Sequence, residues 1–99
     1  MDIKVQSIHF DADTKLLEFI DTKIGKLERF YDNIIGGEVT LKLEHVDNME
    51  NKVVDVKVLI PGNDLFANRS ARTFETAIDL SVDALRRQLE KIKEKQQNK

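Results

Sequence analysis

The side chains of this sequence that could do chemistry are mainly basic, and they concentrate near its end. Residues 86–99 carry six basic and two acidic side chains, whereas the whole chain of 99 residues carries 16 basic and 18 acidic ones. A protein with a net charge of −2 can still bind an anion when its charges are sorted onto different faces. The first question is therefore where these basic side chains point.

The apolar residues of the C-terminal segment recur at the spacing of an α-helix. They form one stripe: Phe74, Ile78, Val82, Leu85, Leu89 and Ile92. This stripe predicts a final helix, and Thr73 precedes it as a candidate N-cap.

Three basic residues share one ridge of this predicted helix, because an α-helix advances by about 100° per residue. Arg87, Lys91 and Lys95 lie at about 180–260° from the centre of the apolar stripe, so we expect all three to be exposed. Arg86 and Lys93 fall on the flank that carries most of the acidic residues, where pairing with carboxylates is their expected role.

A first helix is predicted to begin after Asp13, a residue type that commonly caps helix N-termini. Its apolar stripe consists of Leu16, Leu17, Ile20, Ile24, Leu27 and Tyr31. We expect this helix to contain Gly25 and to end near Asn33, before a turn at Gly36-Gly37. One flank beside the stripe is basic and the other is acidic. The basic flank consists of Lys15, Lys23, Lys26 and Arg29.

These two sorted helices support a hypothesis of anion binding. If their basic flanks face each other across a groove, they form a cationic track suited to the regularly spaced phosphates of a nucleic acid. The alternative is a charged, solvated surface without a ligand, which is the common pattern on exposed helices. Phe19 and Phe30 fall between stripe and basic flank, and we expect them to line the core or the groove; stacking on bases is the alternative.

The sequence offers little for catalysis or for metal binding. It has no cysteine, no G-x-S-x-G motif and no phosphate-binding glycine-rich loop, and no spacing links His9 and His45 to carboxylates as a metal site. We therefore predict that the protein is not an enzyme and uses no cofactor, metal or small-molecule substrate. No signal peptide or membrane-spanning segment is expected, which favours a cytoplasmic protein without a membrane partner.

The periodicity predicts an α+β domain with the order β-α-β-β-β-α. The four predicted strands are Ile3–Ser7, Val39–Glu44, Val54–Ile60 and a shorter Leu65–Ser70. Turns are expected at Asp47–Asn51 and Pro61–Asp64, which would make the last three strands antiparallel. A four-stranded sheet with both helices on one face buries both apolar stripes, and strand one is then parallel to a neighbour. We expect residues 1–95 to form this single domain and residues 96–99 to be a frayed polar tail.

Two groups of residues on the predicted helices resemble a known family. The first helix carries Lys23-x-x-Lys26-Leu27-Glu28-x-Phe30. The last carries Ala77-Ile78-Asp79, followed by Leu85-x-Arg87-Gln88-Leu89-x-Lys91-x-Lys93-x-Lys95. Together, at these separations, they resemble the short ribosome hibernation-promoting factors, also called ribosome-associated inhibitors or protein Y. The resemblance extends over essentially the whole chain.

The resemblance implies a domain similar to double-stranded-RNA-binding domains and a ribosomal partner. It implies binding to the small ribosomal subunit and its rRNA in the decoding channel, inhibition of translation, and preservation of inactive ribosomes in stationary phase or stress. It also implies that the basic helix positions, including Lys93, contact RNA, although Leu17 and Ala84 stand where the family commonly has basic residues. We expect the free protein to be a monomer.

A competing hypothesis is a protein-interaction module of the same fold, whose acidic flanks bind a basic protein. Co-sedimentation with small ribosomal subunits in a sucrose gradient distinguishes the two hypotheses. A sharper prediction concerns the ridge and tests the sorting of charges by helical angle. Reversing Arg87, Lys91 and Lys95 to glutamate is expected to abolish ribosome binding, and reversing Arg86 is expected to matter less.

Overall fold

Seven elements follow one another in the computed structural model, which describes residues 1–44 and 51–97. They are β1 (Asp2–Ile8), α1 (Thr14–Gly25), α2 (Leu27–Phe30), β2 (Gly36–Leu43), β3 (Lys52–Ile60), β4 (Asn63–Ala71) and α3 (Phe74–Gln97). The predicted β-α-β-β-β-α order is confirmed, with the first helix divided into two pieces. The turn predicted at Asp47–Asn51 falls mostly outside the described residues, as does His45.

The four strands form one sheet in the order β1-β2-β3-β4. As predicted, β1 is parallel to β2, and the pairs β2–β3 and β3–β4 are antiparallel. Val39 of β2 lies beside Val5 on one side and Val56 on the other, so apolar residues of the three strands fall in the same row of the same face. The alternation of apolar and polar residues along the strands therefore sets the register that buries one face.

Both helical segments pack on that apolar face. Ile20, Ile24 and Ile78 have no exposed surface, and they share one core with the valines of β3. The opposite face of the sheet presents polar residues such as Lys4 and Glu38, which are exposed. Leu17, which we placed in the apolar stripe, is 40% exposed. That expectation was wrong because Leu17 lies at the edge of the stripe, where the helix surface turns towards solvent.

All four strands are longer than the sequence suggested, and β2 and β4 differ most from the prediction. Gly36 and Gly37, predicted as a turn, are the first residues of β2 and pair with both neighbouring strands. A side chain at Gly36 would meet a backbone oxygen, since an added Cβ would lie 3.1 Å from the carbonyl oxygen of Asp2. β4 has nine residues, like β3, because the predicted turn narrows to Pro61-Gly62, where Gly62 has a φ of 77°.

The first helix begins where predicted but ends earlier. The Asp13 Oδ1 atom accepts a hydrogen bond from the Leu16 backbone N–H at 2.8 Å, which confirms this N-cap. The helix is interrupted at Lys26, directly after Gly25, and α2 ends at Phe30 rather than near Asn33. Glycine lacks the backbone restraint that favours helical geometry, so this is a natural position for the break.

We predict that Gly25→Ala stabilises the protein. An added Cβ at Gly25 would meet nothing within 4 Å. Alanine restricts the unfolded chain and favours helix, so the free energy of unfolding is expected to rise by about 0.5–1 kcal/mol. Urea denaturation followed by circular dichroism measures this change. Gly62→Ala is the control, and it should destabilise because of the positive φ. A loss of stability with Gly25→Ala would show that the break itself is required.

Candidate nucleic-acid interface

The helical layer places α1 and α2 beside α3, and specific contacts join the two sides. The Lys23 Nζ atom lies 3.3 Å from the Asp79 Oδ1 atom, which links α1 to the early part of α3. Near the other end, the Lys93 Nζ atom donates a hydrogen bond to the Phe30 carbonyl oxygen at 3.0 Å. The α3 N-terminus is capped as predicted, since Thr73 Oγ1 accepts from the Thr76 N–H at 3.1 Å. These contacts determine which flank of α3 faces the first helix.

Phe30 is the centre of the contact between α2 and α3. The Lys93 Nζ atom lies 4.6 Å from the centre of its ring, and the Arg86 Cζ atom lies 5.2 Å from it. Both distances are within the range of cation–π attraction. Arg86 also pairs with Glu90 at 3.6 Å, as predicted. For Lys93 the expected carboxylate partner was wrong; within the described part of the chain it contacts Phe30 instead.

The ridge of Arg87, Lys91 and Lys95 does not face the first helix. Arg87 lies between Arg86, which contacts α2, and Gln88, whose Nε2 atom donates to the Phe66 carbonyl oxygen of β4 at 3.0 Å. The ridge therefore runs along the outer surface of α3, and its three side chains are exposed as expected. Our expectation that this ridge and the basic flank of α1 form the two walls of one groove is thus corrected.

The predicted basic residues lie on one helical layer, but they occupy three positions. Lys15, Lys26 and Arg29 are exposed on the first helix, Lys23 and Lys93 are half-buried between the helices, and the ridge lies outside on α3. Within residues 1–44 and 51–97, six of them form no salt bridge. Lys93 is one of the six and is held by the Phe30 carbonyl oxygen. The other five are exposed: Lys15, Lys26, Arg29, Lys91 and Lys95. Their charge is available to an anion.

Two other predicted residues have carboxylate partners at the surface. Arg87 lies 3.0 Å from Asp83, and Lys23 lies 3.3 Å from Asp79. The side chains of Arg87 and Asp83 are 74% and 59% exposed, so water screens their attraction. Exposed pairs of this kind contribute about 0–1 kcal/mol, so a phosphate can compete for these cations at small cost.

A groove between α2 and α3 combines apolar and basic side chains. Its volume is about 310 Å³, and its lining residues are Lys26, Leu27, Arg29, Phe30, Val82 and Arg86. Arg86 was not among the residues predicted to bind RNA, because a helical wheel of α3 alone cannot show which flank meets another helix. The signal that could have found it is its position beside Val82 on the edge of the apolar stripe, opposite Phe30 of the first helix.

The open face of the sheet has a different electrostatic character. Lys42 lies 3.4 Å from Asp55, and Lys57 lies 3.6 Å from Asp64. Lys4 lies beside Glu38 in the β1–β2 register. Since positive and negative groups alternate among the described residues of this face, that part of it offers no continuous cationic surface.

The structure also shows where His9 lies and whether acidic and histidine side chains cluster. His9 is exposed at the end of β1. In the part of the chain that the structure describes, no three His, Cys, Asp or Glu side chains come together as a possible metal site. No helix within the described ranges has the length and apolar composition needed to cross a membrane.

The fold places the protein in the class of two-layer α+β domains with the element order β-α-β-β-β-α, in which one layer is the sheet and the other is the helices. Solved structures with this fold include a ribosomal subunit interface protein from Coxiella burnetii, with a TM-score of 0.82 and 25% identity over 94% of this chain and 98% of that one. The N-terminal domain of Thermus thermophilus Protein Y has a TM-score of 0.80 and 22% identity over 93% of this chain and 99% of that one, a likeness of fold alone.

This chain belongs to the Sigma 54 modulation protein / S30EA ribosomal protein family, whose model matches residues 3–97. It is 31% identical over 98 residues to the ribosome hibernation promoting factor of Pseudomonas putida, covering 99% of this chain and 92% of that protein. It is 30% identical over 95 residues to the one of Escherichia coli K12, covering 96% of each. The family resemblance and the fold predicted from the sequence are both confirmed.

Proposed function

We propose that this protein binds the small ribosomal subunit through the basic surface of its helical layer, contacts rRNA in the decoding channel, and keeps ribosomes inactive. The observation that supports this most is the set of basic side chains of the helical layer that form no salt bridge within residues 1–44 and 51–97. Family membership supports the ribosome as the partner, since the relatives are named ribosome hibernation promoting factors.

The charge distribution favours the helical layer over the sheet as the binding face. Lys26 and Arg29 on the first helix and Lys91 on α3 are exposed and form no salt bridge within the described residues. RNA carries one negative charge per nucleotide, and each lysine or arginine that contacts a phosphate releases bound counterions. The protein's net charge of −2 does not oppose this, because the field near the helical layer depends on nearby charges.

Several further properties belong to this proposal. The predicted domain of residues 1–95, which α3 continues to Gln97, acts as a single ribosome-binding domain. The protein acts in the cytoplasm during stationary phase or stress, as a monomer when free of the ribosome. It inhibits by filling the decoding channel and is held there by electrostatic attraction to rRNA. It needs no catalysis, cofactor or membrane.

Competition with transfer RNA tests the proposed position on the small subunit. Purified small subunits are loaded with a fluorescent transfer RNA and a short messenger RNA, and the protein is then added at increasing concentration. We expect the transfer RNA to dissociate in proportion to the protein bound, and translation of a reporter messenger in a purified system to stop over the same concentration range. Binding of protein and transfer RNA to the same subunit at once would contradict a position in the decoding channel.

A further inference from the structure

The geometry points to a specific ligand for the groove between α2 and α3, here called the α2–α3 groove and lined by the six residues given above. We propose that it binds one unpaired RNA base, while the exposed cations at its edge hold the flanking phosphates. This inference rests on the proposed function, since it takes RNA as the partner. It goes further by naming the part of the RNA that the groove recognises.

The floor of the α2–α3 groove suits a flat apolar ligand. Leu27 is 2% exposed, and Phe30 and Val82 are half-buried beside it. Sequence-specific recognition of RNA usually concerns unpaired bases, which stack on aromatic side chains or on the guanidinium plane of arginine. The Arg86 Cζ atom lies 5.2 Å from the Phe30 ring centre, which is too close for a base to enter between them. The Arg86 side chain is 60% exposed, so the base takes its place on the Phe30 ring.

The edge of the groove suits phosphate. Lys26 and Arg29 line it and are exposed, and neither forms a salt bridge within residues 1–44 and 51–97. Arginine binds phosphate with two parallel hydrogen bonds, and lysine acts as a point charge. Arg86 pairs with Glu90 only at 3.6 Å, between side chains that are 60% and 47% exposed, so it can also turn to a phosphate.

The contacts of Phe30 keep the groove in shape. Lys93 donates a hydrogen bond to the Phe30 carbonyl oxygen and lies 4.6 Å from its ring centre, so the ring is held from the side of α3. Preorganised side chains lose less conformational freedom when a ligand binds. A paired duplex cannot fill this groove because its bases are stacked inside the helix, whereas a single unpaired nucleotide can.

Two hairpin RNAs with the same stem test the proposal. Both carry a single-nucleotide bulge; in one the bulged nucleotide has its base and in the other it is abasic. The base is expected to increase affinity by about 10-fold in fluorescence anisotropy, because stacking of one base on protein has an effect of that order. Val82→Phe, which fills the groove floor and leaves the charges unchanged, should remove this preference and retain binding to the abasic RNA.

Lys91→Gln is the matched comparison, because it removes an exposed charge outside the groove. It should weaken binding to both RNAs by the same factor. Equal affinity of the wild-type protein for the two hairpins would overturn the inference, whether or not the Val82 variant folds. If the protein then still binds small subunits, only the inference fails; if it does not bind them, the proposed function fails too.

Discussion

Replacing Lys26, Arg29 and Arg86 together with glutamine is expected to lower the affinity for the small ribosomal subunit by about 100-fold or more. A hydrogen bond to a charged group contributes about 1.5–3 kcal/mol, and a 100-fold loss corresponds to about 2.7 kcal/mol, so the loss of two of the three phosphate contacts already reaches it. The three residues lie at one groove and lack strong carboxylate partners among the described residues. Equilibrium binding to fluorescent small subunits at low salt measures the change.

The control for this experiment removes the same amount of charge from the other face. Lys4, Lys42 and Lys57 lie on the open sheet face, and the last two pair with Asp55 and Asp64. Changing these three to glutamine lowers the net charge by the same three units and should alter affinity by less than about threefold, since they lie far from the proposed contact. Equal losses from both triple variants would show that net charge, rather than the helical layer, governs binding.

The structure also changes the prediction made from the sequence for the ridge. The sequence suggested that Arg87, Lys91 and Lys95 bind and that Arg86 matters less. Because Arg86 lies in the α2–α3 groove and Arg87 lies on the outer surface of α3, we now expect Arg86→Glu alone to weaken binding at least as much as Arg87→Glu. A much larger effect at Arg87 would favour the outer surface of α3 as the main contact.

The second large effect is expected on stability, from Ile78→Ala. Ile78 has no exposed surface and lies in α3, in the core shared with the sheet and the first helix. Removing its side chain should lower the free energy of unfolding by about 3–4 kcal/mol, because it leaves a cavity that the neighbours fill only in part. That is a large fraction of the stability of a domain of this size, about 5–15 kcal/mol.

Leu80→Ala is the matched control for this prediction. Leu80 lies two residues further along the same helix and is 45% exposed, so its loss should cost less than about 1 kcal/mol. Urea denaturation of both variants decides the comparison. Similar losses at Ile78 and Leu80 would mean that α3 is not packed in the orientation described, and the assignment of groove and ridge would fail with it.

The order of helices and strands could be predicted from the sequence because apolar residues recur at a different spacing in each kind of element. The alternation along Val54, Val56, Val58 and Ile60 predicts a strand, and the stripe from Phe74 to Ile92 predicts a helix. The extent of β2 could not be predicted this way. Gly36 and Gly37 have the composition of a turn, and only pairing with β1 and β3 makes them a strand.

The arrangement of the candidate site was harder to predict for a similar reason. A helical wheel gives the angle of each side chain around its own axis, and it correctly placed Arg87 and Lys91 on an exposed surface. It does not give the rotation of one helix relative to another. The contacts of Phe30 with Arg86 and Lys93 define that rotation. They show that these two residues, which the helical wheel placed on the acidic flank of α3, face α2.

The most direct test of the central claim is co-sedimentation with isolated ribosomal subunits in sucrose gradients. We predict that at low salt the protein sediments with small subunits and not with large ones. Raising the salt from about 50 to 200 mM should release it steeply, as expected for several phosphate contacts. Failure to sediment with small subunits at low salt, or equal sedimentation with large subunits, would contradict the account.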